Sequence, residues 1–206
     1  NVTLATQDLE AGSAALTSLQ EIDKAGRRAR DLVRQILTFS RNEPPKRIPT
    51  HLGEVIEETL RLVKVAMPPS LDLIVHMAPD CPPVLADATQ VEQALLNLCT
   101  NAFLAVGQSK GSVVLELTTL ELGGPQSESL GLPPGPYATI SVRDSGNGMS
   151  PGTLARIFEP FFTTRQVGQG TGLGLSVVHG IMQTHQGAVD VHSTPGVGSE
   201  FTLYFP

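Results

Sequence analysis

Residues 168–175 read Gly-Gln-Gly-Thr-Gly-Leu-Gly-Leu and run straight into an apolar helical pattern over 173–185. Four alternating glycines at a helix start restrict the fold sharply. Backbone N–H groups there can point outward, and the helix dipole favours negative charge, which together make an anion cradle. A merely flexible loop is the competing reading, but a polar linker would not continue as Leu-Gly-Leu-Ser-Val-Val. The run is not a Walker A loop, because no Gly-Lys-Ser/Thr follows. It is not a Gly-x-Gly-x-x-Gly dinucleotide fingerprint either. Counted from Gly168 or Gly170, the third glycine falls on Leu173 or Leu175. Eleven of the chain's twenty glycines lie between Gly146 and Gly198, so this whole region needs bare backbone.

Charge divides the chain. Residues 1–47 hold eight Lys/Arg and six Asp/Glu, whereas 48–206 hold six and fourteen, giving +2 and −8. A domain at −8 is a poor reader of nucleic-acid backbone. The 40% hydrophobic content builds a core and excludes disordered, collagenous and disulfide-framed classes. Cys81 and Cys99, without a secretion signal, fit a reducing compartment, so a cytoplasmic location is expected. No apolar run approaches the ~18 residues of a membrane span. A chain opening at Asn1 is expected to be a fragment, and a membrane anchor, if there is one, to lie in upstream segments.

Leu16, Leu19, Ile22, Ala25, Ala29, Leu32, Val33, Ile36 and Leu37 recur at helical spacing, so 13–41 is expected to form one long helix. Residues 1–10 read as the last turns of a preceding helix, with Gly12 as the break. The expectation is a helical hairpin over 1–43 with a truncated first arm. Its stripe would pack against the missing arm and a second subunit; a solvated amphipathic arm is the alternative. Three prolines (Pro44, Pro45, Pro49) mark a linker over 44–49. Residues 50–206 then form the second domain. Helices are expected over 52–66, from a capping-box variant at Asp87 to about Ala105, from Ser150-Pro151 to about Ile157, and over 173–185. Strands are expected at 71–77, 112–120, 137–143, 189–192 and 199–205, with a loop or hairpin tip between Gly123 and Pro136. The class is α+β: a hairpin, half of a dimeric four-helix bundle, then an α/β sandwich with a mixed sheet and about three helices.

Three further constellations carry chemistry. Gln93, Asn97 and Asn101 form one polar column on an otherwise apolar helix. An amide oxygen can ligate Mg²⁺ and its NH₂ can donate to phosphate; bonds to loops or water are the other use. Asp144-Ser145-Gly146-Asn147-Gly148 closes a strand with a carboxylate and two glycines. That carboxylate can accept from an amine such as adenine's, while the glycines let the ring lie flat; an ordinary tight turn is the alternative. Phe158, Phe161 and Phe162 cluster within five residues, as a lid base or a plain core cluster. Arg165, one of six cations after residue 47, stands where a terminal phosphate could need it.

In this order the pieces resemble the ATP-binding catalytic domain of sensor histidine kinases, shared with gyrase, Hsp90 and the MutL ATPases (the Bergerat-type fold). Asn97-Leu98-Cys99-Thr100-Asn101-Ala102 resembles the N box, Asp144 to Gly148 the first glycine box, and Phe158-Glu159-Pro160-Phe161-Phe162 the F box. Gly170-Thr171-Gly172-Leu173-Gly174-Leu175 resembles the second glycine box, and Gly196-Val197-Gly198-Ser199-Glu200-Phe201 the last. Leu37-Thr38-Phe39-Ser40-Arg41 is similar to the exit of the phosphotransfer hairpin.

The resemblance implies ATP or ADP with Mg²⁺ as cofactors. It gives Asn101 as metal ligand, Asn97 as phosphate support, Asp144 with Gly146 and Gly148 at the adenine, and Phe158 beside the site. Gly170, Thr171, Gly172, Leu173 and Gly174 would wrap the phosphates, Arg165 would serve catalysis, and Ser199 would add an adenine-side contact through water. Hydrolysing members carry glutamate where this chain has Asn97, and an amide cannot act as that general base. The γ-phosphoryl would therefore pass to a histidine and on to a response-regulator aspartate. None of His51, His76, His179, His185 and His192 sits where the resemblance puts the acceptor. Either it lies before Asn1 or the protein is a degenerate kinase. A homodimer through the hairpin is implied, and a receiver domain as partner. Rival readings are a non-catalytic nucleotide-sensing dimerisation module, or an ATPase or serine kinase on the same fold.

Overall fold

The computed structural model describes residues 46–107, 109–165 and 170–206, together with helical positions 15, 16, 18, 19, 22 and 26. The chain divides into two compact units, Asn1–Glu43 with Arg165–Thr171, and Pro44–Thr164 with Gly172–Pro206. Apart from those six positions, the hairpin expected over 1–43 lies outside the described residues, as do Gly168 and Gln169.

The second unit is an α+β layer structure. Its elements run β1 (Ile48–Thr50), α1 (Leu52–Ala66), β2 (Leu71–Met77), β3 (Val84–Ala86), α2 (Ala88–Val106), β4 (Gly111–Leu122), α3 (Gly124–Leu130), β5 (Gly135–Asp144), α4 (Pro151–Leu154), α5 (Gly174–Thr184), β6 (Ala188–Thr194) and β7 (Gly198–Phe205). A five-stranded sheet has the order β2-β4-β5-β7-β6. It is mixed: β2 and β4 pair in parallel, the other neighbours antiparallel.

Strand alternation gives the sheet one apolar face. Val113, Leu115 and Leu117 of β4, Ile140 and Val142 of β5, and Phe201 and Leu203 of β7 are buried there. They join Ile56 and Leu60 of α1, Leu95 and Leu98 of α2, and Val178 and Met182 of α5 in one core. Burial of this kind contributes ~25 cal/mol per Å² of apolar surface, so this face fixes the register of every strand. Among the described residues no helix is long and apolar enough to cross a membrane.

Three expectations need correction. Ile48 and Pro49, expected in the linker, belong to β1, which pairs with β3. Proline is tolerated because in this two-stranded ribbon its missing N–H lies at an edge. Thr50 Oγ1 lies 2.9 Å from both the Ile48 and Ala86 carbonyl oxygens and locks the ribbon. The expected loop or hairpin tip between β4 and β5 does join an antiparallel pair, but it contains α3, with proline in its first turn and Gly131 in the left-handed conformation at its end. Leu122, Leu132, Tyr137 and Tyr204 form a second small core beside it. The helix expected to reach Ile157 stops at Leu154, although Ser150 Oγ does accept the Thr153 N–H as its cap.

Candidate functional site

Asp144 ends β5 and is buried, 6% exposed. It sits in a cross-strand row with Val113 on β4 and Ser199 on β7, and Ser199 in turn pairs with Ser193 on β6. Residues directly opposite in an antiparallel ladder share a face, so Asp144, Ser199 and Ser193 face the helical layer together. The Gly146 N–H donates to Asp144 Oδ1 at 2.8 Å. Burial raises the Asp144 carboxyl above the ordinary carboxylate range, while backbone hydrogen bonds from Gly146 and Ser199 pull it back down.

The loop after Asp144 is held on two sides. Ser145 Oγ accepts the Ser112 N–H at 2.9 Å, and the Asn147 N–H donates to Ala105 O at the end of α2. On the other side the Gly196 N–H donates to Asn147 O at 2.7 Å. Gly148 has φ +62°, and a Cβ there would run into the Thr194 carbonyl. Only glycine satisfies both the left-handed backbone and this contact. The first and last glycine-rich segments are thus docked on each other beside Asp144.

Asn97 and Asn101 lie half-buried on α2, one turn apart. The start of α5 lies against them: a Cβ on Gly174 would be 3.6 Å from Asn97 Oδ1 and 3.7 Å from Asn101 Nδ2. Leu173, the N-cap residue of α5, makes no side-chain cap hydrogen bond. Side-chain amides and a helix N-terminus therefore meet at one place, a donor set that fits a phosphate chain. Asn101 Oδ1 and phosphate oxygens are also the hard oxygen ligands that Mg²⁺ takes. No group of three His, Cys, Asp or Glu able to hold a metal occurs among the described residues.

Phe158 packs partly buried against the core, its ring centroid 5.0 Å from that of His179 on α5. Phe162 lies under the Arg156 guanidinium, 4.3 Å from it, and Arg156 is ion-paired with Glu159 at 3.0 Å. Phe161 is 66% exposed, so the three phenylalanines are not a plain core cluster. Phe161 also has φ +68°, rare for a bulky residue, and its N–H donates to Gly172 O at 2.9 Å. Gly172 (φ +67°) answers this closeness, since any Cβ there would meet the Phe161 backbone. The F-box segment and the second glycine segment are tied at that contact.

The second unit thus brings together Asp144, Gly146, Gly148 and Ser199 at one end, and Asn97, Asn101 and Gly174 at another, with Gly172, Leu173 and Phe158 around α5. Arg165, Gly170 and Thr171 fall in the other unit. Ser193 was not singled out in the sequence, and Ser145 stood there only within the first glycine-rich segment, with no role of its own. Their partners are distant in sequence, and only the glycine-rich turn after Ser193 hinted at a role.

Residues 86–206 match the family described as histidine kinase-, DNA gyrase B-, and HSP90-like ATPase. The chain is 33% identical over 197 residues to the sensor kinase CckA of Brucella abortus (strain 2308), covering 95% of this chain but 21% of that relative's length. Full-length ShkA, solved in complex with AMPPNP, is similar at 26% identity and a TM-score of 0.69, over 98% of this chain and 40% of that one. Histidine kinase ThkA, solved in complex with the response regulator protein TrrA, shares the fold at 22% identity and a TM-score of 0.71, over 99% of this chain and 55% of that one. With more than half of its residues matched, the chain belongs to the histidine kinase-, gyrase B- and HSP90-like ATPase family, as a histidine kinase ATP-binding domain.

Proposed function

We propose that this chain is the kinase core of a two-component sensor. It would bind Mg-ATP, transfer the γ-phosphoryl to a histidine on a helical hairpin of its own dimer, and let the phosphate pass to a response-regulator aspartate. The observation that carries the proposal is the convergence of the α5 N-terminus at Gly174 with Asn97 and Asn101. Uncharged donors of this kind suit a triphosphate in a domain with few cations, which supports the reading.

In this reading Asp144 accepts from the adenine amino group, and Gly148 keeps the floor beside it flat. Asn101 holds the metal, whose chemistry when bound is to neutralise charge on the phosphate oxygens. Asn97 and the α5 amides orient the phosphates, Gly170, Thr171, Gly172 and Leu173 border them, and Arg165 meets the terminal charge. Transfer breaks the bond from the γ-phosphorus to its bridging oxygen and forms a phosphorus–nitrogen bond at the acceptor imidazole. Asn97 has no basic function to activate water, which favours transfer over hydrolysis. The AMPPNP complex of ShkA and the response-regulator complex of ThkA support the nucleotide and the partner.

The test mixes this chain with labelled ATP and a separately produced hairpin bearing the acceptor histidine. Acid-labile label on the hairpin is expected, with none on this chain alone. Acid-stable label on serine or threonine, or steady ATP turnover without the hairpin, would overturn the reading. Replacing Asn101 by Ala should remove transfer by about 100-fold or more, as expected when positioning and charge stabilisation are lost together.

A further inference from the structure

The Asp144 carboxylate takes backbone hydrogen bonds from two separate segments, the loop at Gly146 and the β7 start at Ser199. One side chain ties those segments together. Ser193 Oγ accepts the Met149 N–H at 2.8 Å, at the end of the Asp144 loop. The same oxygen lies 3.2 Å from Gly198 O and 3.0 Å from Ser199 Oγ, both on β7.

Proton counting fixes the arrangement. A serine hydroxyl has one proton and two lone pairs. Met149 fills one lone pair of Ser193 Oγ. All three contacts hold at once only if Ser193 gives its proton to Gly198 O and takes the proton of Ser199. The Ser199 oxygen then has its proton committed away and presents lone pairs beside Asp144, its cross-strand neighbour. Two acceptors, a carboxylate and a hydroxyl oxygen, would face the same place.

We infer that Ser193 is a positioning residue for base recognition: it locks the Asp144 loop to β7 and holds Ser199 as an acceptor, so that the site prefers a purine with an exocyclic amine over one with a carbonyl at that position. The inference rests on the nucleotide reading above and adds the selectivity element to it. Ser193 is half-buried on β6 and is not expected to touch the base. Without it, the Ser199 hydroxyl turns freely and can donate to a carbonyl as readily as it accepts from an amine.

The experiment measures dissociation constants for ADP and IDP by calorimetry on the wild-type chain and three variants. IDP replaces the amine by a carbonyl. Wild type should prefer ADP. Ser193→Ala should lower the ADP/IDP preference by about fivefold or more, the effect of one net hydrogen bond. Ser193→Thr, which keeps the hydroxyl, should restore it to within about twofold. Ser199→Ala retains the Ser193 bonds to Met149 and Gly198 and should lower the same ratio, so the inference stays testable if Ser193→Ala does not fold. A purely structural role would weaken both nucleotides equally and leave the ratio unchanged, which would overturn the inference alone. A wild-type chain indifferent to the base would overturn the adenine reading of Asp144 and this inference with it.

Discussion

His185 Nε2 accepts the backbone N–H of Asp87 at 3.0 Å, joining the end of α5 to the N-cap of α2. Its Nδ1 lies 2.8 Å from Ile181 O, so the ring is neutral, with its proton on Nδ1. The ring is buried edge-on to Phe205, 5.8 Å between centroids. The helix that carries the asparagine column and the helix that begins at Gly174 are thereby fixed to each other.

That contact makes stability depend on pH. Burial lowers the His185 pKa below its ordinary value; the Ile181 carbonyl and the Asp87 carboxylate oppose this, and Arg47 reinforces it. A histidine depressed in the folded state adds stability that is complete above about 6.5, its ordinary value, and is lost as pH falls through the folded value. Urea midpoints at pH 8 and pH 5.5 should show wild type losing more stability on acidification than His185→Gln. Parallel losses in both proteins would exclude His185 as the cause.

Asp144 works in the opposite sense. Its carboxyl is raised by burial, so the fold binds more protons than the unfolded chain between the ordinary and the raised value, and stability falls as pH climbs through that window. Asp144→Asn removes this cost and keeps an oxygen that can accept from Gly146. The variant should match or exceed wild type in thermal stability at pH 7. It should also lose about 100-fold or more in ATP affinity, because its amide donors oppose the adenine amine. Reduced stability with intact affinity would contradict both halves.

Much of this site was legible because its residues act locally. The Asp87 cap, the asparagine spacing and the glycine run before α5 are short-range patterns, and the elements around them match their expected bounds within a few residues. The capping box is only half made: Asp87 Oδ1 accepts from Thr89 and Gln90 N–H, but its own N–H goes to His185, 98 residues away. Gln90, the expected return partner, has a buried Oε1 with no hydrogen-bond partner. Ser193 was invisible for the same reason, since its donor Met149 is 44 residues distant. Strands β1 and β3 have three residues each, too short to show a period. Helix α3 did leave a signal, Pro125 in the first turn and Gly131 at the end, but what stabilises it is packing on the second core.

The cysteines separate by burial. Cys99, on α2 between the two asparagines, is 1% exposed, and burial pushes its thiol up to about 12. Cys81 is partly exposed and only raised. Because the thiolate is the reactive form, a maleimide at pH 7.5 should label the native chain once, at Cys81, and twice in urea. Peptide mass spectrometry checks the position. Label on Cys99 in the native chain would mean that α2 is less tightly packed than described.

Glycines of unlike surroundings should respond in opposite directions. Gly180 lies inside α5 with nothing within 4 Å of a Cβ built there. Its replacement by Ala should stabilise the chain by about 1 kcal/mol, the helix-propensity difference. Gly148 has a left-handed backbone and a Cβ position filled by the Thr194 carbonyl. Gly148→Ala must push the β6–β7 turn off the Asp144 loop, which should cost about 2 kcal/mol or more and weaken ATP binding with it. Thermal unfolding of both variants, with and without ADP, reads the two effects together. ADP should raise the melting temperature of Gly180→Ala as much as that of wild type, and that of Gly148→Ala far less. An equal ADP shift in all three proteins would show that the turn can leave Asp144 without disturbing the nucleotide.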